Sequence, residues 1–370
     1  MSSTTPSERG VQTTVSTDTE AFVERLVTAV AGAFDVYAVY LGDRLGFYRT
    51  LADAGPLTTT DLSEATDCHE RYVREWCEQQ AVTGVLTVDD PSLPATDRRF
   101  DLPDAFVEVL TDEESLQFLA PLAQVFVGAV HPIPQVAEAY RTGEGVPFSA
   151  FGHDMHEGQG RMNRPAFRHL LGTEWLPSLP DVDERLRRPG ARVADIGLGH
   201  AHSAIGIAEA YPTVRVDGYD LDAESVRSAR QHVAEAGLAD RITVELRDAA
   251  GVSATETYDL VTAFECVHDT SDPVSVLRTM RELAGDEGTV LVMDERVGDA
   301  FGEEAEFDWL MYGWSILHCL PVGLVEEPAV GTGTVMRADT LREYAERAGF
   351  SAVEILPIET DFFRFYRLTP

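Results

Sequence analysis

The chain has 370 residues, with 63 acids against 29 basic residues and a formal net charge of −34. That length has room for two domains and a sizeable core, and the charge argues strongly against nucleic acid or an anionic membrane as a partner. Every basic residue is an arginine. Such a composition predicts a halophilic protein, whose carboxylates stay hydrated in a very salty cytoplasm where charges are screened beyond about 3 Å near 1 M salt.

Residues 1–19 are rich in Ser and Thr without an apolar core, which predicts a disordered tail and no signal peptide. From Glu20 to Leu41 apolar residues recur at helical spacing (Phe22, Leu26, Val30, Phe34, Tyr37, Leu41), predicting a long helix with a wide apolar face. A helix of this kind pairs with its copy, so a homodimer through the N-terminal domain is expected. Residues 42–110 pattern as a winged helix. A first helix over Leu45–Ala54 stops at Gly55-Pro56, Thr58 and Asp61 form a capping box for a second, and Asp67 with Glu70 starts a third. Val85–Val88 and Arg99–Leu102 are the expected wing strands. The third helix carries Glu70, Glu75 and Glu78 against Arg71 and Arg74, the wrong balance for phosphates. Residues 20–110 are therefore read as a structural and dimerisation domain in preference to a DNA-binding one.

Residues 111–185 are expected to be a helical connector. Ser115 to Ala137 contains no acid and no arginine and is long enough for a bilayer, but Pro132-Ile133-Pro134 would break a spanning helix, so a buried helix-turn-helix is expected and no membrane partner. His153 and His156 stand at i and i+3, a possible metal pair for which no third ligand is placed. A pocket wall is the preferred reading, and no metal is assigned. Cys68, Cys77, Cys266 and Cys319 form no Cys-x-x-Cys pair, which predicts reduced thiols of a cytoplasmic protein.

Over residues 186–370 strand and helix patterns alternate, with strands at Val193–Ile196, Val214–Tyr219, Ile242–Leu246, Leu260–Phe264, Thr289–Met293, Val353–Ile358 and Phe362–Leu368. Five parallel strands and a closing pair predict an α/β fold, a Rossmann-like doubly wound sheet of seven strands. The first strand runs into Asp195-Ile196-Gly197-Leu198-Gly199, where two glycines allow a sharp turn and close approach of a ligand before a helix N-terminus. The second ends in Asp220, where an acid would meet a ribose. An insertion, 301–336, places Met311, Trp314 and His318 on one helical face, either as a core stripe or as a lid against substrate.

The absence of a third glycine and the acid at Asp195 make this turn resemble the first motif of class I S-adenosylmethionine (SAM) methyltransferases more than an NAD site. The resemblance implies SAM as cofactor, held by Asp195, Gly197, Gly199, Asp220, Leu221, Asp248, Ala249 and Phe264. The segment Cys266-Val267-His268-Asp269-Thr270-Ser271-Asp272 looks like the His-Asp-x-x-Asp segment of winged-helix small-molecule O-methyltransferases, and Met293-Asp294-Glu295 looks like their segment ending in a glutamate. Gly331-Thr332-Gly333-Thr334-Val335 and Phe363-Arg364-Phe365-Tyr366 resemble a microbial branch with the same two-domain plan. This implies methyl transfer to a small molecule's hydroxyl, with His268 as base and Glu295 orienting it. A SAM-binding regulator without catalysis and an NAD-dependent oxidoreductase are the alternatives. Leu198 between the glycines and Ala201 after them depart from the family pattern.

Overall fold

The computed structural model describes residues 18–252, 257–302 and 305–370. The expected tail lies, up to residue 17, outside the described residues. Helix α1 (Thr19–Arg44) begins where the Asp18 carboxylate accepts the Glu20 N–H. It is followed by α2 (Phe47–Ala54), β1 (Leu57–Thr58), α3 (Thr59–Ala65), α4 (Glu70–Val82), β2 (Thr87–Val88) and β3 (Arg99–Asp101). The three strands form a small sheet in the order β1-β3-β2. The capping box between Thr58 and Asp61 is present. Asp67 does not cap α4, however: it sits at φ 53°, and His69 caps the helix by accepting the Arg71 N–H. The pair β1 is too short for alternation to announce it. Phe47, Tyr48, Trp76 and Phe100 fill this domain's core, and Trp76 ties it to α1 by donating to the Ala38 carbonyl at 2.8 Å.

Next come α5 (Asp104–Thr111), α6 (Ala120–Val130) and α7 (Ile133–Thr142), with the chain broken at Pro132 as its ring requires. Among the described residues no helix is long and apolar enough to cross a membrane. Only α6 is buried; α7 exposes Ile133 and Tyr140 and buries Val136 alone, so the second helix of the expected buried pair lies largely at the surface. Helix α8 (Gly152–Ala166) continues into a widened π turn over Phe167–Trp175, and α9 (Pro180–Leu186) leads to the large sheet.

That sheet contains β4 (Arg192–Ile196), β5 (Arg215–Asp220), β6 (Ile242–Leu246), β7 (Leu260–Phe264), β8 (Thr289–Glu295), β9 (Ala352–Ile355) and β10 (Phe363–Thr369). Between them lie α10 (His202–Ala210), α11 (Ala223–Glu235), α12 (Pro273–Ala284), α13 (Asp308–Trp314), α14 (Leu320–Val322) and α15 (Ala338–Ala348). The strand order is β6-β5-β4-β7-β8-β10-β9, parallel except that β10 runs antiparallel to both neighbours. This is the expected doubly wound α/β sheet of seven strands. Val193, Val216, Leu260 and Phe365 pack on the α10 side, while Ala194, Val261, Val292 and Tyr366 pack against α12 and α15. Burial on both faces is why the central strands read as continuous apolar runs.

The π turn lies close on α10 because Gly206 has no side chain: a Cβ there would stand 2.3 Å from the Phe167 carbonyl oxygen. Gly206→Ala should therefore lower stability by about 1–3 kcal/mol in urea unfolding. Gly32→Ala, in exposed α1 with open space around it, should raise stability by roughly 0.5–1 kcal/mol.

Candidate active site

Strands β4, β5, β7 and β8 end at one edge, and the chain order reverses between β4 and β7. That crevice is where open parallel sheets bind ligands. Gly197 turns at φ 66°, and a Cβ on it would strike Cys266 Sγ at 2.7 Å. Gly199, at φ 52°, has open space where a Cβ would project. Its N–H donates to Asp220 Oδ2 at 2.9 Å, and the Asp222 N–H donates to the other oxygen at 2.8 Å. Burial raises the Asp220 pKa against these two donors. Leu221, beside it, is 61% exposed and offers an apolar platform at the strand tip. Asp248 caps the next turn, accepting the Ala250 N–H at 2.9 Å, with Ala249 packed on the α12 side of the core.

Two expected cofactor contacts have other tasks. Asp195 is buried beneath the turn, with one carboxylate oxygen accepting from Ser203 Oγ and the other from Thr262 Oγ1, both at 2.6 Å. It joins β4 to α10 and β7, and so supports the turn from below. Phe264 is 7% exposed and stacks on Phe167 at 5.4 Å, inside the core. The departures from the motif also find their reasons. Leu198 fills the space left by Gly218, whose Cβ would lie 2.5 Å from Leu198 Cδ1. Ala201 adopts φ 66°, a strained region for any residue with a Cβ.

His268 lies in a short turn after β7, 2% exposed. Its Nδ1 is 2.9 Å from Asp294 Oδ1 and 3.2 Å from Glu295 Oε2, and its Nε2 is 3.2 Å from Asp269 Oδ1. Nδ1 is hydrogen-bonded to Asp294, whose ionised oxygens only accept, so Nε2 is the nitrogen that takes up and releases the second hydrogen, carrying it beside Asp269 when the ring is charged. Asp294, which sequence reasoning passed over, is the nearer orienting group, with Glu295 second. Burial opposes charge on His268, but Asp294, Glu295 and Asp269 outweigh it and raise the pKa well above 6.5. Against the burial that would raise it, His268 in turn pulls Asp269 down to about 2. Burial and the neighbouring Asp294 push Glu295 up, so the cluster holds its protons jointly.

A second unforeseen acid is Glu265, at φ 53°, whose carboxylate accepts a hydrogen bond from Asn163 of α8. Burial pushes it up to about 7. A non-glycine residue held in that region marks a constrained position, which residue type alone does not announce.

Helix α8 covers these strand tips. His156 stacks on Phe148 at 4.3 Å and its Nδ1 faces Asp222 at 3.5 Å, while His153 bridges Glu157 and Glu224 at 3.1 Å each. The two histidines thus meet carboxylates of α8 and α11 and its cap, and among the described residues they belong to none of the clusters that could hold a metal ion. Met311 and Trp314 share α13, and His318 follows within a π turn over Ser315–Cys319, which shifts its phase relative to them. Met311 is buried, Trp314 meets Phe126 at 6.4 Å, and His318 packs edge-on to Phe151 at 4.5 Å. Burial lowers the His318 pKa to about 4.

Fold and strand-tip geometry define a two-domain protein, a winged helix followed by a doubly wound domain with a glycine turn at its switch point. Residues 35–112 match the Rv2258c-like winged HTH domain family, and residues 194–290 match the methyltransferase domain family. The chain is 31% identical over 109 residues to a ubiquinone biosynthesis O-methyltransferase of Stutzerimonas stutzeri, spanning 30% of this chain and 46% of that relative, so under half of the relative's length is matched. It is 26% identical to the mitomycin biosynthesis 6-O-methyltransferase of Streptomyces lavendulae over 72% of this chain and 76% of the relative. The solved structure of human N-acetylserotonin methyltransferase in complex with SAM superposes with a TM-score of 0.69 at 16% identity, covering 96% of this chain and 99% of the other. That likeness is one of fold.

Burial raises the Asp195 pKa from 3.8 to about 6 even though Ser203 and Thr262 favour its charge. The folded state then binds this proton more tightly than the unfolded chain, so the residue's contribution falls as pH rises from about 4 to about 6, by up to ~3 kcal/mol. Asp195→Asn should remove that slope, seen as a difference from wild type that grows across this interval in urea midpoints.

Proposed function

We propose that the chain is a SAM-dependent methyltransferase that methylates a hydroxyl of a small, partly aromatic or apolar molecule. The observation that carries this reading is the buried His268, oriented through Nδ1 by Asp294 at 2.9 Å, at the strand tip next to the glycine turn. Support comes from the methyltransferase domain match over residues 194–290 and from relatives that are O-methyltransferases by name.

SAM fits the residues present. The open cradle at Gly199 takes its methionine end, Asp220 the ribose hydroxyls, and Leu221 with Asp248 and Ala249 the adenine. SAM supplies an activated methyl on a sulfonium. The chain's own part is to hold the acceptor in line and to remove its proton. Nε2 of His268 receives that proton, and Asp294 and Glu295 stabilise the imidazolium that forms. Met311, Trp314 and His318 are the side chains assigned to the acceptor, with Trp314 edge-on to Phe126 and His318 edge-on to Phe148 and Phe151.

A DNA-reading role for the small domain is disfavoured by charge. On α4, Arg71 pairs with Glu75 and Arg74 with Glu70, both at 2.5 Å, and Arg98 pairs with Glu78 at 2.8 Å. That domain serves instead as a homodimer interface. Phe22, Leu26, Val30 and Phe34 all lie about half exposed or more on α1, an apolar face a second copy would cover. Light scattering should give twice the chain mass, and Leu26→Asp with Phe34→Asp should give monomers; a monomeric wild type would refute the assignment. The four free cysteines and the excess of acids suit a reducing, salt-rich cytoplasm.

Calorimetric titration should detect SAM and S-adenosylhomocysteine but not NAD, with Asp220→Ala weakening both at least ~10-fold; equal affinity in the variant would remove Asp220 from the site. His268→Ala should bind SAM as wild type does and lose turnover. A base works only when deprotonated, so with the pKa of His268 raised well above 6.5, kcat/KM should climb as pH rises beyond the ordinary histidine range. Asp294→Asn removes the charge that does most to raise it and should move that limb to lower pH. An unmoved limb would show that another group governs the profile.

A further inference from the structure

We propose that His200, His202 and His232 form a binding site for a divalent transition-metal ion of the zinc class, behind the glycine turn. The assignment rests on the three imidazoles alone and stands whether or not the chain transfers methyl groups. One ligand nitrogen from each residue lies within 4.8 Å of the others. The ring centroids are 6.3 Å apart for His200 and His202, 5.4 Å for His200 and His232, and 4.9 Å for His202 and His232. A tetrahedral ion with bonds of about 2.0–2.1 Å needs nitrogens about 3.3 Å apart, a small swing of each side chain from this arrangement.

Three further observations point to a ligand. His200 is only 8% exposed, yet its Nε2 has no hydrogen-bond partner. Buried nitrogens are rarely left unmatched without a reason. The ring's opposite side is fitted against α8, where Gly160 makes room for it: a Cβ there would lie 2.5 Å from His200 Nδ1. Nδ1 of His232 lies 3.1 Å from the His200 carbonyl oxygen, which can only accept, so that nitrogen carries the hydrogen and Nε2 keeps its lone pair. Metal-binding histidines are commonly held by such a bond.

His202 and His232 are half-buried, which leaves a route in and an open fourth position for water. Three neutral imidazoles with one open position suit zinc, cobalt, nickel or copper and not magnesium or calcium. The net charge of −34 concentrates cations around the chain. Once bound, the ion would tie the β4–α10 turn to α11, the two segments whose N–H groups or caps converge on Asp220. The other histidine clusters among the described residues, His268 with Asp269 and Cys319 and His268 with Asp294 and Glu295, belong to the site already described.

Equilibrium dialysis of the full chain against Zn2+ tests the assignment, with Co2+ absorbance as the report of tetrahedral geometry. Wild type should retain one Zn2+ per chain, Co2+ should give the strong visible bands of a four-coordinate site, and Zn2+ should raise the Tm. His232→Gln, and His202→Gln with His232→Gln, should lose at least ~10-fold in Zn2+ affinity and lose the Tm shift, while His153→Gln should match wild type. Melting curves without metal establish that each variant is folded. Wild type that retains no Zn2+, or a folded double variant that binds Zn2+ as tightly as wild type, would overturn the proposal.

Discussion

Helix α8 lies across the carboxyl ends of the parallel strands, and this crossing sets the geometry of everything beneath it. It touches the glycine turn through Gly160 and His200, the acid after β5 through His156 and Asp222, and the tip of β7 through Asn163 and Glu265. Each contact requires the helix backbone to come close, which a side chain at Gly160 would prevent. Close packing of this sort makes the crevice a fixed shape, since interiors at crystal density do not deform continuously. The helix also brings nitrogen atoms to an edge crowded with acids. Asp195, Asp220, Glu265, Asp269, Asp294 and Glu295 all stand within this small region, and buried carboxylates persist only when donors or cations answer them. Backbone N–H groups answer Asp220, hydroxyls answer Asp195, and His268 answers three acids at once.

The same charge balance explains why His268 is poised as it is. In isolation a buried imidazole is neutral, as His318 is with its pKa lowered to about 4. His268 differs because three carboxylates surround it, whereas burial, together with the His268 charge, holds His318 down although Asp269 acts on both.

The parts of this architecture that repeat along the chain were legible in the sequence. The alternating segment Ile242–Leu246 and the largely apolar run Leu260–Phe264 gave β6 and β7 their ends, and the acid at the tip of β5 declared itself through its place after a strand. Thr58 and Asp61 formed the capping box that their spacing implied. What stayed hidden depends on contacts between distant segments. Asp294 and Glu295 are adjacent, and only the geometry at the end of β8 puts the first nearer to His268. Glu265 owes its importance to a backbone angle. The π turn after Trp314 breaks the regular spacing from which Met311, Trp314 and His318 were placed on one face. His232 meets His200 and His202 because β5 lies beside β4, which sets α11 next to α10; thirty residues of intervening chain conceal that meeting.

The turn after β4 is the most tightly held segment of the crevice. Leu198 is seated over Gly218, the Gly199 N–H is bonded to Asp220, His200 is wedged under α8, and Ser203 at the start of α10 is bonded to Asp195. Four ties on six consecutive residues leave the backbone little freedom to lose when a ligand arrives. The strain at Ala201, a residue with a Cβ in a region that favours glycine, is sustained by those ties. A loop ordered in advance binds without the entropic cost of ordering itself, and it holds a reacting carbon in one place while a proton is removed 3 Å or so away. The positioning that the proposed methyl transfer demands is thus built into the folded chain around Asp195 and Asp220, which leaves the proton to the proposed base, His268.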